Sequence, residues 1–323
     1  MNLANMNQKE LEPVPAELIQ TIREFVDNWC GALASRRRPN GPLYHYCDAN
    51  ALLSIFRTRS LWATGTRYLN DRSELIALLR KLPELTQKHT GTRAGQAAVE
   101  LSRVIQTWGA DIFANAIGAE ICVACFSEDG DVLSQWRAYA DDGHGFAIGF
   151  DTTQLRVLTG SGPGVGELKR ISYGGTDEQE LIDKLFQGFA ERIEPYLGLL
   201  DTSGWNLEHG CQTTRSWLSV RMSECLGELT SECKHASFAE EREWRIFAPR
   251  TDMQFRVSAR RIVPFRQLDM SSTTDETLMP ISRIVVGPKA DWQAAERVLM
   301  YIADQYGYGH SGFGLAHSKA PYR

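Results

Sequence analysis

The chain predicts an α+β fold with a split, mostly antiparallel sheet, and three observations lead to it. Segments of helical period and short apolar runs of strand period follow one another without a regular strand–helix–strand succession. The strand-like runs gather at 43–63, 121–150 and 243–286, whereas 15–38, 95–118 and 177–234 are helical in period. No repeat and no low-complexity tract interrupts them. Residues 1–41 read as an N-terminal helical extension, and 42–323 as a single α+β domain carrying a helical insertion at about 177–236.

Taken in order, Leu18, Ile22, Phe25, Val26, Trp29 and Leu33 recur in steps of three and four, which marks an amphipathic helix. Arg36-Arg37-Arg38 ends it before Pro39 and Gly41, the favoured place for positive charge at a helix terminus. A short strand, Leu43-Tyr44-His45-Tyr46-Cys47, leads through Asp48-Ala49-Asn50 into a helix over 52–59, followed by an extended piece at 60–63. Asp71 and Glu74 stand three apart before Leu75, Leu78 and Leu79, the pattern of a capping box. Residues 95–118 make another helix.

The middle is rich in strands: Ile121-Cys122-Val123-Ala124-Cys125-Phe126-Ser127, a turn at Glu128-Asp129-Gly130-Asp131, and Phe146-Ala147-Ile148-Gly149-Phe150. A glycine-rich loop fills 160–166, and extended structure resumes at 168–173. At least two helices occupy 177–234, with a break near 198–210. Strands at 243–249, 255–257 and 281–286, a helix over 292–305 and an extended piece near 312–316 close the chain.

Composition narrows the function. With 43% hydrophobic and 23% charged residues the chain is globular, neither disordered nor fibrous. Thirty-five basic against 40 acidic residues, net −5, provide no global positive field for nucleic acid or anionic lipid. No apolar run reaches the ~18 residues that a membrane span needs, the N-terminus has no signal-peptide order, and seven scattered Cys form no disulfide framework. The expectation is a soluble, cytoplasmic protein without a membrane partner.

Several chemistries are weighed against blander readings. Cys122-x-x-Cys125 suggests zinc, but both thiols lie in one apolar strand, where residues three apart face opposite ways, and no second pair exists. The expectation is no metal. The glycines of 160–166 lack the following Lys-Ser/Thr of a phosphate loop. Glu240, Glu241 and Glu243 place three carboxylates in four positions before an apolar strand. A solvated charged face is the plain alternative, with local pairs contributing under about 1 kcal/mol. Three polar groups shift that balance: His45 in the first strand, Ser127 ending the central one and Glu243 opening the late one, each beside aromatics.

The strings Leu43-Tyr44-His45-Tyr46, Leu61-Trp62-Ala63, Leu69-Asn70-Asp71-Arg72-Ser73-Glu74, Cys125-Phe126-Ser127, Trp136-x-x-Tyr139 and Phe238-x-x-Glu241-x-Glu243-Trp244-Arg245, with the tail at 318–323, resemble a bacterial family. It is labelled a domain of unknown function and is found in many bacteria and mobile elements. The resemblance covers most of residues 42–323, and loosely the helical insertion. That family is similar to the ADP-ribosyltransferase-like superfamily, which includes DNA-modifying bacterial toxins. Its members carry His or Arg, then Ser or Tyr, then Glu on three strands of a split sheet around NAD. The resemblance therefore implies NAD as substrate, His45 at the first position, Ser127 at the middle one with Trp136 or Tyr139 as alternatives, and Glu243 as catalytic Glu with Glu241 as its partner.

Cleaving the nicotinamide–ribose bond builds an oxocarbenium-like cation. A carboxylate that stabilises that cation more than neutral ribose lowers the barrier. This is the role the resemblance implies for Glu243, with Glu241 accepting a proton from the nucleophile. His45 and Tyr44 would fix the cofactor's pose, Trp62, Trp136 or Tyr139 would stack on nicotinamide, and Arg67 or Lys234 would meet the diphosphate. Arg245 shares Glu243's face by strand alternation and would hold that carboxylate ionised. The acceptor (protein, nucleic acid, small molecule or water) is left open. The alternatives are a non-catalytic nucleotide-binding or interaction module, and a nucleic-acid-directed defence or toxin effector using Arg36–Arg38 with Arg256, Arg260 and Arg261.

Overall fold

A computed structural model describes residues 14–35, 39–68, 74–108, 121–154, 167–174, 176–202, 214–249, 252–258, 261–270, 278–309 and 312–322. The fold is mixed α+β with a largely antiparallel open sheet. It divides into two compact units, one of Met1–Ser35, Ser73–Asn115 and Gly174–Cys233, the other of Arg36–Arg72, Ala116–Tyr173 and Lys234–Arg323.

The first unit is helical, built from α1 (Ala16–Ser35), α3 (Glu74–Thr86), α4 (Arg93–Trp108), α6 (Thr176–Ile193), α7 (Leu197–Thr202) and α8 (Thr214–Ser231). Leu18, Ile22 and Trp29 of α1 are buried at the three-and-four spacing. Phe25 stands edge-on to Phe189 of α6 at 5.6 Å, which needs Gly188, where a Cβ would come within 2.3 Å of the Phe25 ring. Arg215 of α8 reaches Glu100 of α4 at 3.0 Å. The N-terminal segment, the insertion and a third segment, Ser73–Asn115, thus share one core.

The second unit holds β1 (Leu43–Cys47), α2 (Ala49–Thr58), β2 (Ser60–Gly65), β3 (Ile121–Ser127), α5 (Leu133–Tyr139), β4 (Phe146–Phe150), β5 (Glu167–Arg170), β6 (Glu243–Pro249), β7 (Gln254–Ser258), β8 (Arg261–Asp269), β9 (Ile281–Val286), α9 (Trp292–Gln305) and β10 (Gly314–His317). The strand order is β10-β9-β4-β1-β3-β2-β8-β7, with β6 also on β3 and β5 on β6. Among the described residues only the β10–β9 pair is parallel.

One junction shapes this sheet. β6 runs beside the whole of β3, from Ile121↔Pro249 to Ser127↔Glu243, and so occupies one edge completely. β1 and β2 must therefore share the other edge. β1 meets it at Tyr44↔Ser127, and β2 meets it at Thr64↔Val123 and Gly65↔Cys122. Between those contacts neither strand pairs with the edge of β3 at 124–126, which leaves an opening in the hydrogen-bond ladder.

Alternation along the strands sorts the side chains into two faces. One carries the core: Leu43, Leu61, Phe126, Ile148, Trp244 and Ile284 cluster with Leu52 and Phe56 of α2 and Leu299 and Ile302 of α9. Tyr44, Trp62, Cys125, Ser127, Glu243 and Arg245 belong to the opposite face by register.

Some elements differ from the sequence reading. β8 lies outside the strands read from the sequence; it forms with Pro264 opposite Phe255. The helix expected over 95–118 is seen as Arg93–Trp108, and its remainder lies outside the described residues. Asp71, Arg36–Arg38, Arg260 and the glycine-rich 160–166 also lie outside them.

Candidate active site

The site grows from the start of β6. A 3-10 segment, Ala236–Glu241, is followed by Arg242 in the left-handed region (φ 42°), which swings the chain into β6 at Glu243. That reversal brings Lys234, Glu241, Glu243 and Arg245 together, each no more than 8% exposed. Strand alternation puts Arg245 beside Glu243, its Nε donating to Oε1 at 2.7 Å and its Nη2 to Oε2 at 2.9 Å. Lys234 Nζ donates to Glu241 Oε2 at 2.5 Å and to Glu243 Oε2 at 3.2 Å. Two carboxylates and two cations thus form one buried network.

Charge balance sets the protonation of Glu243. Burial opposes its ionisation, but the Arg245 charge and hydrogen bonds, Lys234 and the Cys125 thiol outweigh it and hold Glu243 down at about 2. Cys125, opposite Arg245 in β3, feels the reverse: burial and the Glu243 charge push its thiol well above the ordinary range. It is a neutral hydrogen-bond donor to Glu243, not a nucleophile. The Tyr173 hydroxyl accepts the backbone N–H of Glu243 at 2.6 Å. Burial of the hydroxyl, with Cys125, raises Tyr139 to about 12, while 42% of that residue remains exposed beside the network.

Ser127 is opposite Glu243 in register. Its hydroxyl donates to the Glu241 carbonyl at 2.7 Å and accepts the Asp129 N–H at 3.1 Å, so it fastens the turn that carries both glutamates.

His45 enters from the other edge of β3. Its Nδ1 is 2.9 Å from the Cys125 carbonyl. A carbonyl only accepts, so Nδ1 carries the proton and Nε2 is left as the free nitrogen. Burial lowers the His45 pKa, and nearby Arg256 adds to that, so the ring is neutral at pH 7. By alternation His45 leaves β1 on the face opposite Tyr44, and its ring lies 5.9 Å from Phe126.

The structure therefore brings Ser127, Glu241, Glu243 and Arg245 into one cluster with Tyr139 alongside, and ties His45 to it through Cys125. Tyr44 pairs with Ser127 across the sheet and packs among Tyr46, Trp136 and Ala147. Trp136 is fully buried, edge-on to Tyr46 at 4.9 Å, with its indole N–H donating to Asp131 at 2.8 Å. Trp62 lies across the opening against Phe265 at 4.6 Å, under the Arg256 guanidinium at 5.2 Å. Arg67's side chain lies outside the described residues.

Three participants were not legible beforehand in their actual roles. In the sequence Cys125 stands only as half of a rejected zinc motif, Lys234 as a charge that could meet a diphosphate, and Tyr173 as the end of an extended piece. Among the described residues no group of three or more His, Cys, Asp or Glu is placed to hold a metal ion, and no helix is long and apolar enough to cross a membrane.

Residues 135–246 match the family model described as a protein of unknown function (DUF2971). The match spans Tyr139, Lys234, Glu241, Glu243 and Arg245, and leaves His45 and Ser127 outside it. No curated protein and no solved structure matches the chain.

Proposed function

We propose that this protein is an ADP-ribosyltransferase-like enzyme that cleaves the nicotinamide–ribose bond of NAD and passes ADP-ribose to an acceptor, or to water. The observation that carries the reading is the double engagement of Cys125. Its carbonyl holds His45 at the sheet opening, and its thiol holds Glu243 on the neighbouring strand. Ser127 and the ionised Glu243 share one face of the sheet on neighbouring strands, and His45, whose side chain leaves β1 on the other face, reaches the same stretch of β3 through the Cys125 carbonyl; the family resemblance adds the expectation that all three serve one NAD site.

The donor set suits a dinucleotide. His45, with Nδ1–H committed to a backbone carbonyl, offers Nε2 as an acceptor for a ribose hydroxyl. Tyr139, half-exposed beside the glutamates, is the aromatic surface on which nicotinamide would stack, in preference to the enclosed Trp136. Glu243 supplies fixed negative charge for the developing oxocarbenium ion, and Arg245 and Lys234 keep it from reorganising. Glu241, bridged to the same lysine, is the group placed to take the acceptor's proton.

A second reading has its own support. Both oxygens of Glu243 are already hydrogen-bonded to Arg245 and Lys234, which weakens its pull on a substrate cation and suits a nucleotide-binding module without turnover. Incubating the protein with NAD, alone and with DNA, RNA or cell extract, separates the two. The enzyme reading expects free nicotinamide, and Glu243→Gln should reduce its release by roughly 10²-fold or more. NAD binding with no nicotinamide release under any condition would establish the binding module instead.

A further inference from the structure

Arg256 lies on β7, the last strand in the sheet order, and its side chain reaches across β8 to β2. Its guanidinium covers Trp62 at 5.2 Å and the Phe265 ring at 6.0 Å, and Nη2 donates to Thr64 Oγ1 at 3.1 Å. The aromatic rings and the threonine come from β2 and β8, so the cation is pinned at the β2 bank of the opening. His45, on the β1 bank, lies within its electrostatic reach.

The pinned guanidinium lacks its usual complement of acceptors. Among the described residues Nε is buried without a hydrogen-bond partner, and no carboxylate forms an ion pair with Arg256. Asp48 is near enough to be felt, yet it is committed as the cap of α2, accepting the Ala51 N–H at 2.7 Å. A partly buried arginine with no carboxylate partner among the described residues retains guanidinium N–H donors for an anion. Stacking on Trp62 holds the fork flat and pre-organised, so little entropy is lost when an anion arrives.

We infer that Arg256, seated on Trp62 and Phe265 and tethered to Thr64, is the anchor for a phosphate group of a small nucleotide bound at the opening between β1 and β2. This rests on reading that opening as the nucleotide site, but not on any bond being cleaved there. The planar fork can pair with two oxygens of a single phosphate group. Arg256 is accordingly a binding residue, distinct from the Glu243 network.

The test is calorimetric titration of the full-length protein with ADP and with inorganic pyrophosphate, neither of which has a nicotinamide bond to break. Wild type should bind ADP, Arg256→Gln should weaken it by roughly tenfold or more, and Arg256→Lys, which keeps charge but loses the planar fork, should fall between. Arg297→Gln, an exposed change on α9, should bind like wild type. Melting curves identify any variant that fails to fold, and Thr64→Val then tests the same anchor through a milder loss of affinity. Equal affinity of folded Arg256→Gln and wild type, or no binding of ADP by wild type, overturns the assignment. So does an Arg256-dependent preference for a single-stranded oligonucleotide over ADP, since that would assign the anchor to a nucleic-acid backbone. Loss of nicotinamide release alone would leave the anchor standing and remove only the catalytic reading.

Discussion

Glu243 is held ionised by partners that exist only in the folded chain, and this ties stability to pH. Its pKa falls from 4.5 to about 2 on folding, equivalent to roughly 3 kcal/mol. Because the folded value is the lower one, that contribution is complete above about pH 4.5 and is lost as pH falls toward 2. Urea midpoints at pH 6 and pH 3 should therefore differ strongly in wild type and much less in Glu243→Gln. Arg245→Gln should be costly at neutral pH, on the order of 3–5 kcal/mol, since it leaves a buried carboxylate under-compensated. If Arg245→Gln unfolds at the wild-type urea concentration, the network is not load-sharing in this way. Arg245 was legible beside Glu243 because two-residue alternation operates within one strand. Lys234 was not, because its approach depends on the left-handed Arg242 and the turn before it, which no periodicity encodes.

Among the elements, the last strand and the segment after it show how a short tail is locked. Beyond β10, Ser318 Oγ and the Lys319 N–H both donate to Asp131, the latter at 2.6 Å, and Asp131 also accepts from Trp136. The Tyr322 ring lies between Lys289 Nζ at 3.8 Å and the Arg137 guanidinium at 4.8 Å, close over Gly143, whose φ of 90° and lack of a Cβ allow the approach. Asp131 thus joins the tail to α5, the helix that carries Tyr139. Asp131→Ala should lower stability by about 2–4 kcal/mol, because three donors lose one acceptor; an unchanged melting temperature would refute this clasp. The equivalent change at exposed Asp142 should have a much smaller effect. The tail's sequence signals nothing of the kind, since its partners lie far away along the chain. β8 is a similar case: the Pro264 ring forbids one ladder bond, and only the pairing of β8 with both β2 and β7 shows that the strand tolerates it.

At the scale of the whole molecule, the helical unit depends on three separated segments. Phe25 of α1 packs on Phe189 of α6, and His89, after α3, pairs with Asp183 of α6 at 2.9 Å. Arg215 of α8 reaches Glu100 of α4. Removing residues 174–233 should therefore not leave α1, α3 and α4 as a folded remainder. Far-UV circular dichroism of such a deletion should show more helix lost than the excised residues account for, with aggregation on size exclusion once Leu82 and Leu101, buried in the intact protein, are uncovered. A loss matching the excised residues alone would mean that the segments fold independently.

Element type and order were largely open to reading from the chain by itself, since burial periodicity is a local property: β1, β3, β4, β6, β9 and α9 follow directly from runs of alternating or three-and-four apolar residues. The α+β class and the charge pattern before β6 were equally local. Which strands became neighbours was decided only in three dimensions. That β1 and β2 share one edge of β3, that Cys125 links His45 to Glu243, and that Arg256 comes to lie over Trp62 all depend on contacts between residues scores of positions apart. Such contacts are selected by the collective packing of the sheet, and no single segment contains the information to specify them.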